Sequence, residues 1–200
     1  MSERRVLRGW GFGPYTEVDL RGLPDGGKGF ELEDGWLIAV ADGARHNFVV
    51  QRLGRLIDAA AVGAAVHVCM GGGWEVGTPS GVRKPDIVVI PRDIARAAIV
   101  AETPRLILGR EVLLAVEVVA PGNGSERTDR VKKVREYAAI DIPQYWIVEH
   151  HPEVRIHRML LADGAFRASP VVAAGTVCTA QIQADPPFRV SFDPAALIEI

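Results

Sequence analysis

Cysteine is scarce: Cys69 and Cys178 are the only two in 200 residues. They form neither a zinc-ligand spacing nor a disulfide framework, which points to a reducing compartment and a cytoplasmic chain. Long apolar runs are missing too. No stretch reaches the roughly 18 apolar residues that span a bilayer. No hydrophobic run follows the opening Met1-Ser-Glu-Arg-Arg, so neither a signal peptide nor a membrane partner is expected. Charge of one sign is not in excess. Lys plus Arg is 23 against 25 Asp plus Glu, a formal charge of -2. That excludes a basic nucleic-acid coat but leaves a local basic site open. The HExxH, CxxC and GxSxG signatures do not occur. The Gly71-Gly72-Gly73 run lacks the order of a phosphate loop, and reads as a turn within a sheet. Gly9, Gly11 and Gly13 have no strand before them and no helix after, so no nucleotide cofactor is expected.

The chain is 48% hydrophobic and 24% charged, which excludes global disorder. Its length suits one domain able to bury about two-thirds of its unfolded surface. Glycines and prolines punctuate residues 1–29, predicting an irregular N-terminal segment packed on or flanking the core. Arg4, Arg5 and Arg8 make its start basic. Residues 30–200 read as one domain. Asp34-Gly35 between two short apolar runs predicts a hairpin. Phe48, Val49, Leu53, Leu56, Ile57 and Ala60 recur at helical spacing, predicting a helix over 44–61 capped by Asp42 or Asn47. Strands are expected over 66–70, resuming at 74–76, and over 87–90, 113–120 and 145–149. The run at 87–90 is β-branched and apolar throughout, as in strands buried on both faces. A short helix fits 92–102. A clearer one fits 125–140, with Val131, Val134, Ala138 and Ala139 inward and Arg127, Arg130 and Glu136 outward. Asp163-Gly164 marks another hairpin, and short edge strands follow. Val190, Phe192, Leu197 and Ile198 are expected to dock the C-terminus. The fold class is α/β (α+β), with a central mixed β-sheet flanked by helices.

Two acids stand where acids are costly. Asp86 opens an apolar strand, and Glu117 lies inside another between Val116 and Val118. A carboxylate so placed needs a cation or a hydrogen-bond partner. A surface salt bridge would serve Glu117, and a turn or cap role would serve Asp86. Alternatively, the two carboxylates hold one Mg²⁺ with the Val118 backbone carbonyl and waters. Such an ion acidifies its water and steadies charge on an attacked phosphate. Asp129, Lys133 and Tyr137 follow at spacing four and four on one helical stripe. Lys133 could there orient or deprotonate a water, or pair with Asp129 on an exposed face. Arg127, Arg130, Lys132, Lys133 and Arg135 crowd the same helix, which suits either a DNA backbone contact or a solvated face. His46, beginning the earlier helix, is a candidate phosphate contact or proton relay, or else a capping residue.

Three segments carry a resemblance: FELEDGWLI with His46 downstream, RKPDIVVI, and LLAVEVVAPGNGSERTDRVKKVREYAAIDIPQYWIVE. Together and in this order they resemble the Uma-type family, described as putative restriction endonucleases, within the PD-(D/E)XK nuclease superfamily. The resemblance implies a restriction-endonuclease-like core and cleavage of DNA with a divalent metal, Mg²⁺ or Mn²⁺ in its place. It puts the motif acids at Asp86 and Glu117, the helical residues at Asp129, Lys133 and Tyr137, and supporting residues at Glu31 and His46. Val119 stands where the superfamily's usual lysine would be, and Lys133 is the replacement the family offers. Glu149 stands for the family's usual aspartate. The expected reaction is hydrolysis of DNA, with Arg83, Lys84, Arg127, Arg130 and Lys132 as backbone contacts. A homodimer is expected because duplex cleavage needs two cuts. The alternatives are a DNA-binding or interaction module on a decayed scaffold, or a nuclease acting on RNA or branched DNA.

Overall fold

The computed structural model describes residues 13–40, 43–100, 106–119, 122 and 126–199. Arg4, Arg5, Arg8 and the capping candidate Asp42 lie outside them.

Two β-strands, β1 (Phe30–Glu33) and β2 (Trp36–Ala39), form the expected hairpin. Its turn places Asp34 at φ 47° and Gly35 at φ 77°, a left-handed pair that matches the twist of the flanking strands. The hairpin continues through β5 (Gly81–Arg83) to β4 (Val76–Thr78), making a four-stranded sheet in the order β2-β1-β5-β4. The chain after the triple glycine therefore resumes in a different sheet from the strand before it. Helix α1 (Glu17–Gly22) seals this sheet with Leu20, against Leu23, Leu32, Leu37 and Val82. The expected irregularity of residues 1–29 thus fails over α1. Thr16 and Asp19 close a capping box there, which satisfies amides that would otherwise be orphaned.

The main sheet has seven strands and mixed directions. Its path is β10 (Ala165–Ala168), β9 (Arg155–Ala162), β8 (Gln144–Glu149), β7 (Leu114–Val119), β6 (Ile87–Pro91) and β3 (Val66–Met70), with β11 (Val172–Ala173) also on β9. Among the described strands of this sheet only β7 and β8 run parallel, and the others pair antiparallel. The parallel pair needs a crossover, which α4 (Lys133–Ala139) supplies.

Alternation along β7 assigns its faces. Leu114, Val116 and Val118 join a core with Val49, Val50, Leu53 and Ile57 of α2 (Ala44–Ala60). Burying each such side chain contributes about 1.5–3 kcal/mol. Ala115 and Val119 join a second core on the opposite side, with Ala95 of α3 (Arg92–Val100) and Tyr137 of α4. Gly43, not Asn47, caps α2, without a side-chain bond. A last hairpin, β12 (Cys178–Ile182) with β13 (Phe188–Phe192), alternates buried and exposed residues and closes the first core. Val190, Phe192 and Leu197 dock as expected, whereas Ile198 is 40% exposed.

Helix α4 departs most from expectation. A π-helical turn, Thr128–Lys132, precedes it, with the Lys133 N–H donating to the Thr128 carbonyl. Asp129, Lys133 and Tyr137 face inward, and Val131, expected in the core, is 40% exposed. Among the described residues no helix is long and apolar enough to cross a membrane.

Candidate active site

Asp86 sits at the entry of β6, where the ladder with β7 ends at the pair Ile87–Val116. Its Oδ2 accepts the next free donor, the Val118 N–H, at 2.7 Å. Its Oδ1 lies 3.1 Å from His46 Nε2 at the start of α2. One carboxylate therefore ties β6 to the residue beside Glu117 and fixes His46. Asp86 is a cap and a candidate ligand at once.

Glu117 points from β7 toward α4. Its Oε1 accepts from Lys133 Nζ at 2.9 Å and from the Tyr137 hydroxyl at 3.1 Å. The same ammonium meets Glu31 Oε1 at 3.0 Å and Asp129 Oδ1 at 3.1 Å. Three donors thus meet three carboxylates, which saturates the lysine. Lys133 is only 4% exposed. Glu31 also receives the Lys84 N–H at 2.9 Å. The Tyr145 hydroxyl donates to the Asp129 carbonyl at 2.9 Å, and its ring meets Tyr137 edge-on.

One cation among several acids sets the protonation. Burial pushes the Glu117 carboxyl well above the usual range; Lys133 opposes this, while Asp129, Asp86 and Glu31 add to it. Burial likewise raises Asp129 against the pull of Lys133. At Glu31 burial is outweighed by Lys133, Arg83 and the Lys84 amide, and its value falls. Burial alone would lower Lys133, but Glu117, Glu31 and Asp129 hold it well above the usual lysine range.

Arg83 corrects an expectation. It is 0% exposed, so it presents nothing to a DNA backbone. Its guanidinium meets Glu136 at 2.7 Å, Glu33 at 2.9 Å and Glu31 at 3.2 Å. It clamps β1 and β5 to α4, and Glu136 turns inward to meet it rather than outward. Lys84 is buried as well, donating to the Gly27 carbonyl at 2.9 Å. Arg127 and Lys132 remain exposed, with Lys132 paired to Glu33. Arg130 is half-buried against Glu126 and Glu149. His150, passed over in the sequence, is buried with its ring edge-on to His46 at 6.3 Å between centroids. The one sequence signal for the Arg83 cage is in FELE: acids two apart on a strand share a face.

The chain matches the family model named Uma2, "Putative restriction endonuclease", over residues 18–182. It belongs to the Uma2 family. Its fold is similar to the crystal structure of a putative nuclease belonging to DUF820 from Anabaena variabilis ATCC 29413, with a TM-score of 0.58. The two are 12% identical, over 82% of this chain and 86% of that one, a likeness of fold alone. No curated protein matches.

The Uma2 chain offers donors of the right kind for Mg²⁺, a hard cation that takes oxygen and keeps several waters. Among the described residues no three His, Cys, Asp or Glu converge as a metal cage. Two side-chain carboxylates plus waters suffice for Mg²⁺. Burial, with the surplus of acid around Lys133 adding to it, holds the Glu117 carboxyl well above its usual range, and a divalent ion would relieve both. Asp86 and Glu117 are two carboxylates of that kind, one at the entry of β6 and one within β7.

Proposed function

We propose that this Uma2 protein is a metal-dependent nuclease that hydrolyses DNA phosphodiester bonds. The observation that carries the reading is Lys133 on α4 held against Glu117 of β7, with Asp86 bonded to the neighbouring Val118. Asp86, Glu117 and the Val118 carbonyl would hold Mg²⁺, or Mn²⁺ in its place. Such an ion, when bound, acidifies water and offsets the negative charge that grows on an attacked phosphate. Water's oxygen forms a bond to phosphorus and gives up one proton to solvent, the phosphorus–oxygen ester bond breaks, and the leaving oxygen takes a proton from solvent.

Lys133 holds its own proton too firmly, in its ring of carboxylates, to accept one from water. Its role is to orient Glu117 and to offset phosphate charge. Glu31 and Asp129 hold the ammonium, and Tyr137 holds the Glu117 carboxylate. His46, 3.1 Å from Asp86, orients that carboxylate. Arg127, Arg130 and Lys132 would position the backbone. A homodimer would supply the second cut of a duplex. The saturation of Lys133 also favours a rival, a DNA-binding module without catalysis.

Cleavage of plasmid and single-stranded DNA with Mg²⁺, Mn²⁺ or EDTA separates them. Wild type is expected to cut only with metal, Glu117→Gln to lose most cutting, and Mg²⁺ to raise the melting temperature of wild type alone. Cutting in EDTA that survives Glu117→Gln would point to another site. DNA binding with no cutting of either substrate would establish the rival. Lys133→Met is a poor probe, because it strands three buried carboxylates without their cation.

A further inference from the structure

A cavity of about 410 Å³ opens beside Trp74 and Lys84, and it adjoins the Asp86 end of the sheet. The Gly71 N–H donates to the Asp86 backbone carbonyl at 2.8 Å, so the glycine run whose Gly72 and Gly73 line the cavity starts beside Asp86. Lys84 lies two residues before Asp86, and its amide holds Glu31.

The charges of the lining exclude a phosphate as occupant. Lys84 Nζ is taken by the Gly27 carbonyl at 2.9 Å and lies 3.5 Å from Glu75. Glu75 also receives Arg21 at 3.0 Å. At the rim, exposed Asp25 and Lys28 bring one charge of each sign. The cavity thus has polar edges without a cationic surplus. Trp74 is half-buried, its indole leaning on His67 with ring centroids 5.7 Å apart. A Cβ at Gly73 would meet nothing within 4 Å, so no side chain screens the backbone there. The volume lies near the small end of ligand sites. A flat, neutral group with polar edges fits all of these features, and an aromatic side chain in a groove is how unpaired bases are held.

We propose that this cavity takes one unstacked base of single-stranded DNA against Trp74, with the phosphate beside that base lying toward Asp86 and Glu117. The inference rests on the proposed nuclease reading and narrows its substrate to unpaired strands. A base inside a duplex has both faces covered and would have to leave the stack to enter.

Binding in EDTA, where metal-dependent cleavage is silent, tests it. The probes are a labelled short oligothymidine, an abasic oligomer with the same number of phosphates, and a duplex of equal length. Wild type is expected to prefer oligothymidine over both, with quenching of tryptophan fluorescence. Trp74→Leu keeps apolar bulk without the aromatic face and should weaken oligothymidine binding ~5- to 150-fold, leaving the abasic oligomer unaffected. Trp74→Phe should retain most of the affinity while losing the quench. Equal affinity for the thymidine and abasic oligomers, wild-type affinity in a folded Trp74→Leu, or no binding of oligothymidine would overturn the proposal. A chain that prefers bases yet cuts no DNA with Mg²⁺ upholds the cavity and defeats the nuclease reading. A chain that cuts without preferring bases does the reverse.

Discussion

At the scale of the residue, the site is a contest between burial and too few cations. Glu117, Glu31 and Asp129 divide one ammonium. Removing a carboxylate from water costs several kcal/mol unless the attraction returns it, so the least compensated acid keeps a proton. That acid is Glu117, whose carboxyl burial raises well above the usual range. The consequence for stability has a definite sign. Between the unfolded and the folded value, the native state binds more protons at this group than the unfolded chain. Its contribution is complete below the ordinary carboxylate range and is lost as pH rises through the folded value. Glutamine cannot ionise. In EDTA, the melting temperature of Glu117→Gln relative to wild type should therefore climb as pH goes from about 5 to about 8. A difference that stays constant across that range would show that Glu117 titrates alike in both states.

At the scale of the element, the site depends on where α4 rests against β7. Gly109 opens the short turn before β7, and a Cβ there would stand 2.0 Å from the Ile140 carbonyl just past the end of α4. A backbone oxygen cannot move aside as a side-chain tip can. Gly109→Ala should therefore push α4 from its seat and cost about 1–3 kcal/mol, the usual penalty of overpacking. Urea unfolding reads this directly. Gly54 provides the contrast, since a Cβ there would meet the Met70 thioether, a flexible group able to yield. A Gly109→Ala protein as stable as wild type would mean that the α4–β7 contact is looser than its geometry. The π turn belongs to this scale as well. It brings a charged stripe inside and leaves Val131 outside, and such turns recur at functional sites.

At the scale of the whole molecule, a net charge of -2 must coexist with the proposed nucleic-acid partner. The structure resolves this by sorting charge. Arg83, Lys84 and Lys133 spend their charge on buried partners, while Arg127, Lys132 and Arg135 stand exposed around α4. Binding of single-stranded DNA should weaken with salt, since each neutralised phosphate releases counterions. Replacing both Arg127 and Arg135 by Ala should flatten the logarithmic salt slope by about 1.4, at roughly 0.7 per contact. An unchanged slope in fluorescence anisotropy titrations would place the DNA on another face.

What the sequence determined by itself is local in physical origin. The Asp-Gly pairs set both hairpin turns, because a left-handed backbone is a property of the two residues concerned. Apolar runs marked β6, β7 and β8, because only a covered strand tolerates them. The costly position of Glu117 within such a run, and of Asp86 at the mouth of another, singled out both acids before any contact was known. The tertiary structure alone decided the company they keep. Arg83 has the same local pattern whether it meets solvent or acid, and its partners Glu31 and Glu136 lie more than fifty residues away on either side. Likewise, helical periodicity put Val131 inside, but the pull of buried carboxylates on Lys133 and the wide turn before it set the face instead. Burial and charge balance are sums over the assembled molecule, and no window of sequence contains all of their terms.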